Sequence, residues 1–219
     1  DLVYLKKQPE YIDEIKNPFV CFLKNYRDSK TYNILLPNKW EDYNKSVLKK
    51  DFYNQNSRKK RSLEKLGELK FRVIEDQNEK KTILDKLFTQ KNIRLSWKGI
   101  QDILNDNDLK FYKEYENKIL KNTETHLSYL SLNDELIAIH WGIIYKNRFY
   151  YLLLSMKEER FRKYSPGRLL ISSLIEWSIE KRLKFFDFTF GDEIYKKSWS
   201  NRENLLFNYI HLNSFNGFY

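Results

Sequence analysis

The feature that most constrains the fold is a series of three closely spaced strand patterns in the second half of the chain. Apolar and β-branched stretches predict strands over 126–132, 135–145 and 148–156. The pairs Asn133-Asp134 and Lys146-Asn147 separate these strands, and two-residue connections of this composition are typical of tight hairpin turns. The segment therefore predicts two consecutive β-hairpins.

A strand–helix–strand unit follows the hairpins. After a loop that contains Tyr164-Ser165-Pro166-Gly167, the pattern predicts an amphipathic helix over 168–183 and an apolar strand over 185–190. A single helix between two strands of one sheet requires a right-handed crossover, which makes the strands 148–156 and 185–190 parallel neighbours. A short helix over 192–199 and a last strand over 205–212 complete the chain.

The first half is predicted to be mostly helical. Helical patterns cover 42–66, a stretch from Asn78 through Phe88, and 97–120, and Gly67 ends the first of them. A half-buried strand is predicted over 68–74. The apolar positions of the first helix that we expect to face inward are Tyr43, Val47, Leu48, Phe52 and Leu63. We therefore divide the chain into regions 1–121 and 122–219 and assign it to the α/β (α+β) class.

The composition narrows the partners. The chain has 219 residues, 16% aromatic content and a net charge of +10, so we expect a folded protein with an anionic substrate or partner. The densest basic run, 58–61, is also explained by a solvated helix face. With one cysteine, Cys21, and no His/Cys/Asp spacing typical of metal ligands, we expect no disulfide framework and no metal. No apolar run approaches the ~20 residues that cross a bilayer, and we expect a cytoplasmic protein.

The junction over 162–170 is the most informative site candidate. A helix begins there just after a strand, so free backbone N–H groups and the positive end of the helix dipole are expected to point outward. Pro166 fixes the entry to the helix, Gly167 permits close approach of an anion, and Arg162, Lys163 and Arg168 add positive charge. These features suit a phosphate or pyrophosphate, although Pro-Gly before a helix is also ordinary turn punctuation.

The same residues resemble a known family. Segment 162–167, RKYSPG, is similar to the pyrophosphate motif of the GNAT acyltransferases, Gln/Arg-x-x-Gly-x-Gly/Ala, with Ser165 in place of the first glycine. Region 162–201, with YSPGRLL followed by FFDFTFGDEIYK, resembles the CelD/BcsL-like branch, whose members are acetyltransferases associated with cellulose and other polysaccharide gene clusters. The resemblance extends more weakly back through 139–142 to the basic helix at 58–67.

This resemblance implies a GNAT-like mixed sheet with flanking helices, in which two splayed parallel central strands, 148–156 and 185–190, hold acetyl-CoA or another acyl-CoA between them. It implies that the pyrophosphate is bound by Arg162, Ser165, Gly167 and Arg168. It further suggests that the N-terminal half is a degenerate second GNAT-like domain. The acceptor cleft would then be lined by Arg94, Trp97 and Lys98.

Three residues are candidates for the acyl-transfer chemistry, which needs a base for the amine and an acid for the departing thiolate. Tyr195 lies where GNAT enzymes often place a tyrosine acid, and a packing tyrosine is the alternative. His140 has a side chain of suitable ordinary pKa for a base, and a hydrogen-bonded core histidine is the alternative. Asp187 lies in an apolar strand, where a carboxylate needs a partner, and it could orient His140 or bind substrate.

A polar group at the end of the same strand is predicted to receive the acceptor. It comprises Asp187, Asp192 and Lys196, and the family resemblance adds Trp141 as a substrate-binding candidate. Asp192 has a second interpretation, because a carboxylate at this position can cap the helix that follows.

Three functions fit these observations. The first is an N-acyltransferase that moves an acyl group, such as acetyl, from acyl-CoA to an amino group on an amino sugar or polysaccharide precursor, with a hydroxyl acceptor left open. The second is a FemAB-like transferase that uses aminoacyl-tRNA, with the basic helix at 58–61 on the RNA. The third is a non-catalytic nucleic-acid-binding module, which no recognisable nucleic-acid motif supports. The retained turn favours the first, with a small-molecule or glycan acceptor.

Overall fold

The computed structural model describes residues 2–12, 15–19, 24–100, 104–116, 121–157 and 160–212. Cys21 lies outside this part of the chain. The described residues divide into two compact units, a small one that lies within 1–35 and 187–219 and a large one that lies within 36–186.

The large unit contains five helices and four complete strands in its described part. The helices are α1 (Trp40–Ser46), α2 (Lys50–Glu64), α3 (Gln77–Trp97), α4 (Asp106–Glu116) and α5 (Pro166–Glu180). The strands are β5 (Leu69–Val73), β6 (Thr123–Leu132), β7 (Glu135–Tyr145) and β8 (Arg148–Met156). The strands pair antiparallel in the order β5-β6-β7-β8.

Both predicted hairpins are confirmed, and the bounds of β7 and β8 agree with the prediction. Asn133 and Asp134 have φ of 48° and 66°, and Lys146 and Asn147 have φ of 47° and 60°. Two successive residues with positive φ form the turn whose twist matches that of paired strands. Asn and Asp, which supply three of these four residues, tolerate the left-handed region better than most residue types, and this is why the sequence pattern located the turns.

Helices cover both faces of this sheet. On one face, α3 and α4 pack over the sheet and enclose a core that includes Leu84, Leu87, Leu127, Ile139 and Trp141. On the other face, α5 packs against β6, β7 and β8. The mixed α/β class predicted from the sequence is thus confirmed.

The crossover helix α5 returns the chain to the start of β8. Strand β9 (Phe185–Phe190) begins there. The backbone N–H groups of Lys184 and Phe185 donate to the carbonyl of Asn147, which immediately precedes β8. The ring of Phe186 stacks on that of Phe149 at 4.9 Å. Both strands therefore start side by side, as expected of a parallel pair joined by a helix.

The small unit is built mainly from strands. Its described part contains β1 (Leu2–Pro9), the short β2 (Tyr11–Ile12) and β3 (Ile15–Lys16), β4 (Lys24–Leu35), the rest of β9, helix α6 (Ile194–Trp199) and β10 (Arg202–Leu212). Strand β10 pairs antiparallel with both β1 and β4. Residues 2–12 and 24–35 are thus largely extended, although they belong to the half predicted to be mostly helical.

Three helix predictions are wrong in extent. The helix predicted from Asn78 through Phe88 continues to Trp97 in α3. The helix predicted over 42–66 is two helices, α1 and α2, with a break at 47–49. The stretch predicted as helical over 97–120 contains only α4 in its described part, because α3 ends at Trp97 and Gly99 takes a φ of 72°. The division at residue 121 and the degenerate N-terminal GNAT-like half stay predictions.

Candidate functional site

The junction predicted to bind the acyl donor has a defined backbone geometry. A 3₁₀ turn over Arg162–Tyr164 leads into Ser165, which has φ 53° and ψ 60°, and α5 begins at Pro166. The carbonyl of Ser165 accepts from the N–H groups of Arg168 and Leu169. Ser165 therefore adopts the left-handed conformation that glycine adopts most readily, at the position where the GNAT motif has its first glycine.

Gly167 brings α5 close to β8. A Cβ atom at this position would lie 2.8 Å from Met156 Cε and 3.2 Å from Leu154 Cδ2. A side chain at this position would require the ends of the Met156 and Leu154 side chains to shift. Its predicted part in anion binding stays a prediction.

Two cations meet at this junction. The Lys59 ammonium donates to Ser165 Oγ at 2.5 Å, and the Arg168 guanidinium lies over the Phe52 ring at 4.3 Å. Burial, followed by the charge of Arg168, lowers the pKa of Lys59, and burial lowers the pKa of Arg168. Within the described chain, Arg168 Nε and Nη2 are enclosed and have no hydrogen-bond partner. A pair of like charges with spare donors is an arrangement that an anion would stabilise.

Lys59 was missed as an individual site residue. The only signal for it was the basic run 58–61, in which Lys59 is half-buried against α5 while Arg58, Lys60 and Arg61 are exposed. The predicted contacts Arg162 and Lys163 are exposed on the 3₁₀ turn. A shallow cavity of about 540 Å³ beside the turn is lined in part by Arg160, Lys163 and Tyr164.

His140 lies in the core of the large unit, with 0% of its surface exposed. Its ring stacks on Tyr151 at 4.6 Å and on Phe149 at 5.5 Å, and the ring of His126 lies 6.1 Å away. Burial, followed by the charge of His126, lowers the pKa of His140 well below 6.5. These surroundings are those of a neutral core histidine, and the catalytic role of His140 stays a prediction.

Trp141 faces the opposite side of the sheet. Its Nε1 donates to Glu116 Oε1 at 2.5 Å, and Glu116 also accepts from Thr125 and pairs with Lys80 at 2.9 Å. The side chain of Glu116 is fully buried. The indole of Trp141 thus belongs to a buried polar network, and its predicted contact with substrate stays a prediction.

The remaining candidates lie in the small unit. Asp187 Oδ1 accepts from the N–H of Thr189, and Asp192 Oδ1 accepts from Tyr32 Oη at 3.2 Å. Burial and the Asp192 carboxylate raise the pKa of Tyr32. Asp192 does not occupy the cap position of α6, which belongs to Glu193.

Lys196 is buried at the end of β9. Its Nζ donates to the carbonyl of Phe190 at 2.5 Å and pairs with Glu193 at 2.8 Å. Its neighbour Tyr195 is 39% exposed and packs edge-on against Phe188. Tyr195 is thus accessible, whereas the ammonium of Lys196 is held by protein groups.

The sequence matches the model of the Acetyltransferase (GNAT) domain over residues 50–197. The chain belongs to the GNAT acetyltransferase family. The match includes the Ser165 turn, α5, β9 and most of α6. No curated protein sequence matches the chain.

Solved structures resemble this GNAT chain in fold. The structure of FemX has a TM-score of 0.59 at 13% identity over 85% of this chain and 62% of its own. The structure of L-PGS from Bacillus licheniformis has a TM-score of 0.61 at 10% identity over 94% of this chain and 67% of its own. A C-terminal domain of a putative lysylphosphatidylglycerol synthetase from Agrobacterium fabrum has a TM-score of 0.57 at 11% identity over 87% of this chain. The GNAT chain spans about 62% of FemX and of the Agrobacterium domain.

Two further observations concern the described part of the GNAT chain. It contains no group of three or more His, Cys, Asp or Glu side chains arranged to hold a metal ion. It also contains no helix of the length and hydrophobicity required to cross a membrane.

The residues predicted to line an acceptor cleft lie at the end of α3. Trp97 is the last residue of α3 and is exposed, Arg94 lies in the last turn of α3, and Lys98 follows the helix.

Proposed function

We propose that this GNAT chain is an N-acyltransferase that uses acyl-CoA, such as acetyl-CoA, as its donor. The observation that carries the proposal is the Ser165 turn, where Lys59 and Arg168 meet beside the first turn of α5. The enclosed guanidinium nitrogens of Arg168 fit a pyrophosphate, whose oxygens accept several charge-assisted hydrogen bonds.

In the proposed reaction, a neutral amine attacks the thioester carbonyl, a C–N bond forms and the C–S bond breaks. The amine loses a proton, and the departing thiolate gains one. We assign the second transfer to Tyr195, because its side chain is accessible. Replacement of Tyr195 by Phe should lower kcat and leave the Kd of the donor unchanged.

We propose an amino sugar or polysaccharide precursor as the acceptor. This assignment rests on the resemblance of 162–201 to the CelD/BcsL-like branch. The competing function is aminoacyl transfer from tRNA, and the exposed cations Arg58, Lys60 and Arg61 on α2 make it worth testing.

A stability measurement with matched ligands tests the donor. Coenzyme A and acetyl-CoA at about 100 times their Kd should stabilise the protein by about 2.7 kcal/mol. Pantetheine, which lacks the pyrophosphate, should give a much smaller shift at the same concentration. An absence of any shift with acyl-CoAs, combined with binding of aminoacyl-tRNA, would favour the competing function.

Variants then test the site itself. Lys59→Gln and Arg168→Gln should each weaken coenzyme A binding about tenfold or more, since each removes a charge-assisted contact worth about 1.5–3 kcal/mol. Arg61→Gln removes an exposed charge from the same helix and serves as the control. If all three variants bind equally, the donor site lies elsewhere.

A further inference from the structure

A separate cavity of about 220 Å³ lies in the large unit between α1, α2, α5 and the β5–β6 edge. Each helix contributes at least one pair of side chains spaced four residues apart, which places the pair on one helix face. Six residues in such pairs are Trp40 and Asn44, Asn56 and Lys60, and Ser172 and Glu176. Further residues of α2 and α5 that line the cavity are Tyr53, Ser57, Leu169 and Ser173. Apolar residues such as Phe71 and Leu130 complete the lining. Three helices thus present polar and aromatic groups to one space.

Asn56 is the residue that points to a ligand. It is only 6% exposed, and neither Oδ1 nor Nδ2 has a hydrogen-bond partner within the described residues. Asn44 Oδ1 is also buried and has no hydrogen-bond partner within the described residues. Buried amides in native proteins are nearly always hydrogen-bonded, so an amide that lines a cavity calls for a polar occupant.

The size and charge of the cavity restrict that occupant. Drug-sized ligands occupy pockets of about 300–1,000 Å³, so 220 Å³ has room for a single small ring and none for a coenzyme or nucleotide. The charged groups are one carboxyl, Glu176, and one ammonium, Lys60. Burial raises the pKa of the Glu176 carboxyl and the Lys60 charge acts in the opposite direction, so the two charged groups of the lining are close enough to offset each other. The cavity therefore suits a neutral ligand better than a cation or an anion.

A neutral saccharide ring matches the remaining chemistry. Each of its hydroxyl groups can donate and accept, which suits the amides of Asn44 and Asn56, the hydroxyl of Ser172 and the carboxyl of Glu176. Its C–H faces suit the ring of Trp40 and the apolar lining. We propose that this cavity binds one saccharide unit. The proposal does not rest on acyl transfer, because none of these six residues belongs to the donor turn.

Titration with defined sugars tests the proposal. Glucose, galactose and N-acetylglucosamine are titrated separately through the millimolar range against the whole chain, with saturation-transfer NMR and calorimetry as readouts. At least one should bind. If none binds, or if only glycine or lysine binds, the proposal is wrong.

Variants connect binding to the cavity. Asn56→Leu should weaken the affinity for the sugar about tenfold, because the amide contacts of Asn56 are lost. The same variant should raise Tm, because an unpartnered buried amide is replaced by an apolar group. Glu176→Gln keeps the side-chain size and should also weaken binding. Gln55→Leu, an exposed neighbour on α2, should leave affinity unchanged. Unchanged affinity in both cavity variants, or a lower Tm in Asn56→Leu, would overturn the assignment.

Discussion

The two buried histidines should make the protein lose stability in mild acid. His126 is 2% exposed and His140 is fully buried. Burial, with a smaller contribution from Lys80, lowers the pKa of His126 to about 3, and burial lowers that of His140 well below 6.5. The unfolded chain therefore binds protons that the folded chain excludes. Stability is fully present above pH 6.5 and is lost as the pH falls below that value.

The size of the effect follows from linkage. Each histidine contributes a slope of about 1.36 kcal/mol per pH unit between the unfolded and folded pKa values. At pH 5 this amounts to about 2 kcal/mol for His126, and His140 adds a loss of the same sign. Domains are typically stable by only about 5–15 kcal/mol, so the loss should be readily measured.

Urea denaturation at several pH values between 7.5 and 5 is the appropriate assay. The slope of unfolding free energy against pH should be smaller in His126→Leu than in the wild type, and His211→Gln, which replaces an exposed histidine, serves as the control. Glu176, whose pKa is raised by burial, has the opposite slope but is present in every variant. Equal slopes in the wild type and in His126→Leu would refute the reasoning.

Three further predictions concern stability, each measured by urea denaturation. Ser165→Gly should change stability little, because relief of left-handed strain of about 1 kcal/mol offsets the lost hydrogen bond to Lys59. Ser165→Ala also loses the hydrogen bond but keeps the strain, so it should cost about 1 kcal/mol. Equal losses of stability in the two variants would contradict this. Gly142→Ala should cost about 3 kcal/mol, because its Cβ would lie 2.5 Å from the Tyr150 carbonyl oxygen, and a loss below about 1 kcal/mol would show that the strands adjust. Glu116→Ala should cost about 3–5 kcal/mol by leaving Lys80 buried without its carboxylate. The exposed Glu114→Ala should cost about 0.5 kcal/mol or less, and a similar loss in both would contradict the network.

Local signals explain which parts of the fold the sequence predicted well. Strands β6, β7 and β8 are joined by two-residue turns that contain Asn or Asp, which tolerate positive φ, so short windows contain the necessary information. Strand β1 was not predicted, because it pairs with β10 at the other end of the chain, as in Leu2 opposite Leu212. Such pairing has no local signature. The break after α3 was missed because the helical pattern resumes at α4.

The candidate site shows the same limit. Ser165 and Arg168 were found because they lie in one short motif, and both are at the junction. Lys59 is 106 residues from Ser165, and the basic run predicts a charged helix without indicating which member faces inward. His140 was identified as a catalytic candidate from its type and strand, whereas its stacked surroundings are supplied by Phe149 and Tyr151 of β8.

The serine that replaces the first glycine of the GNAT motif is linked to the basic helix α2 through its contact with Lys59. A serine in the left-handed region costs about 1 kcal/mol or more relative to glycine, so the substitution requires a compensating contact. Glycine has no side chain to accept from Lys59, whereas Ser165 Oγ does so and thereby holds the ammonium beside Arg168. The serine thus adds backbone strain, but it fixes a second cation, Lys59, beside Arg168 at the N-terminus of α5. A homologous chain with glycine at this position should have no need for a lysine at the position of Lys59, and the two positions should therefore vary together.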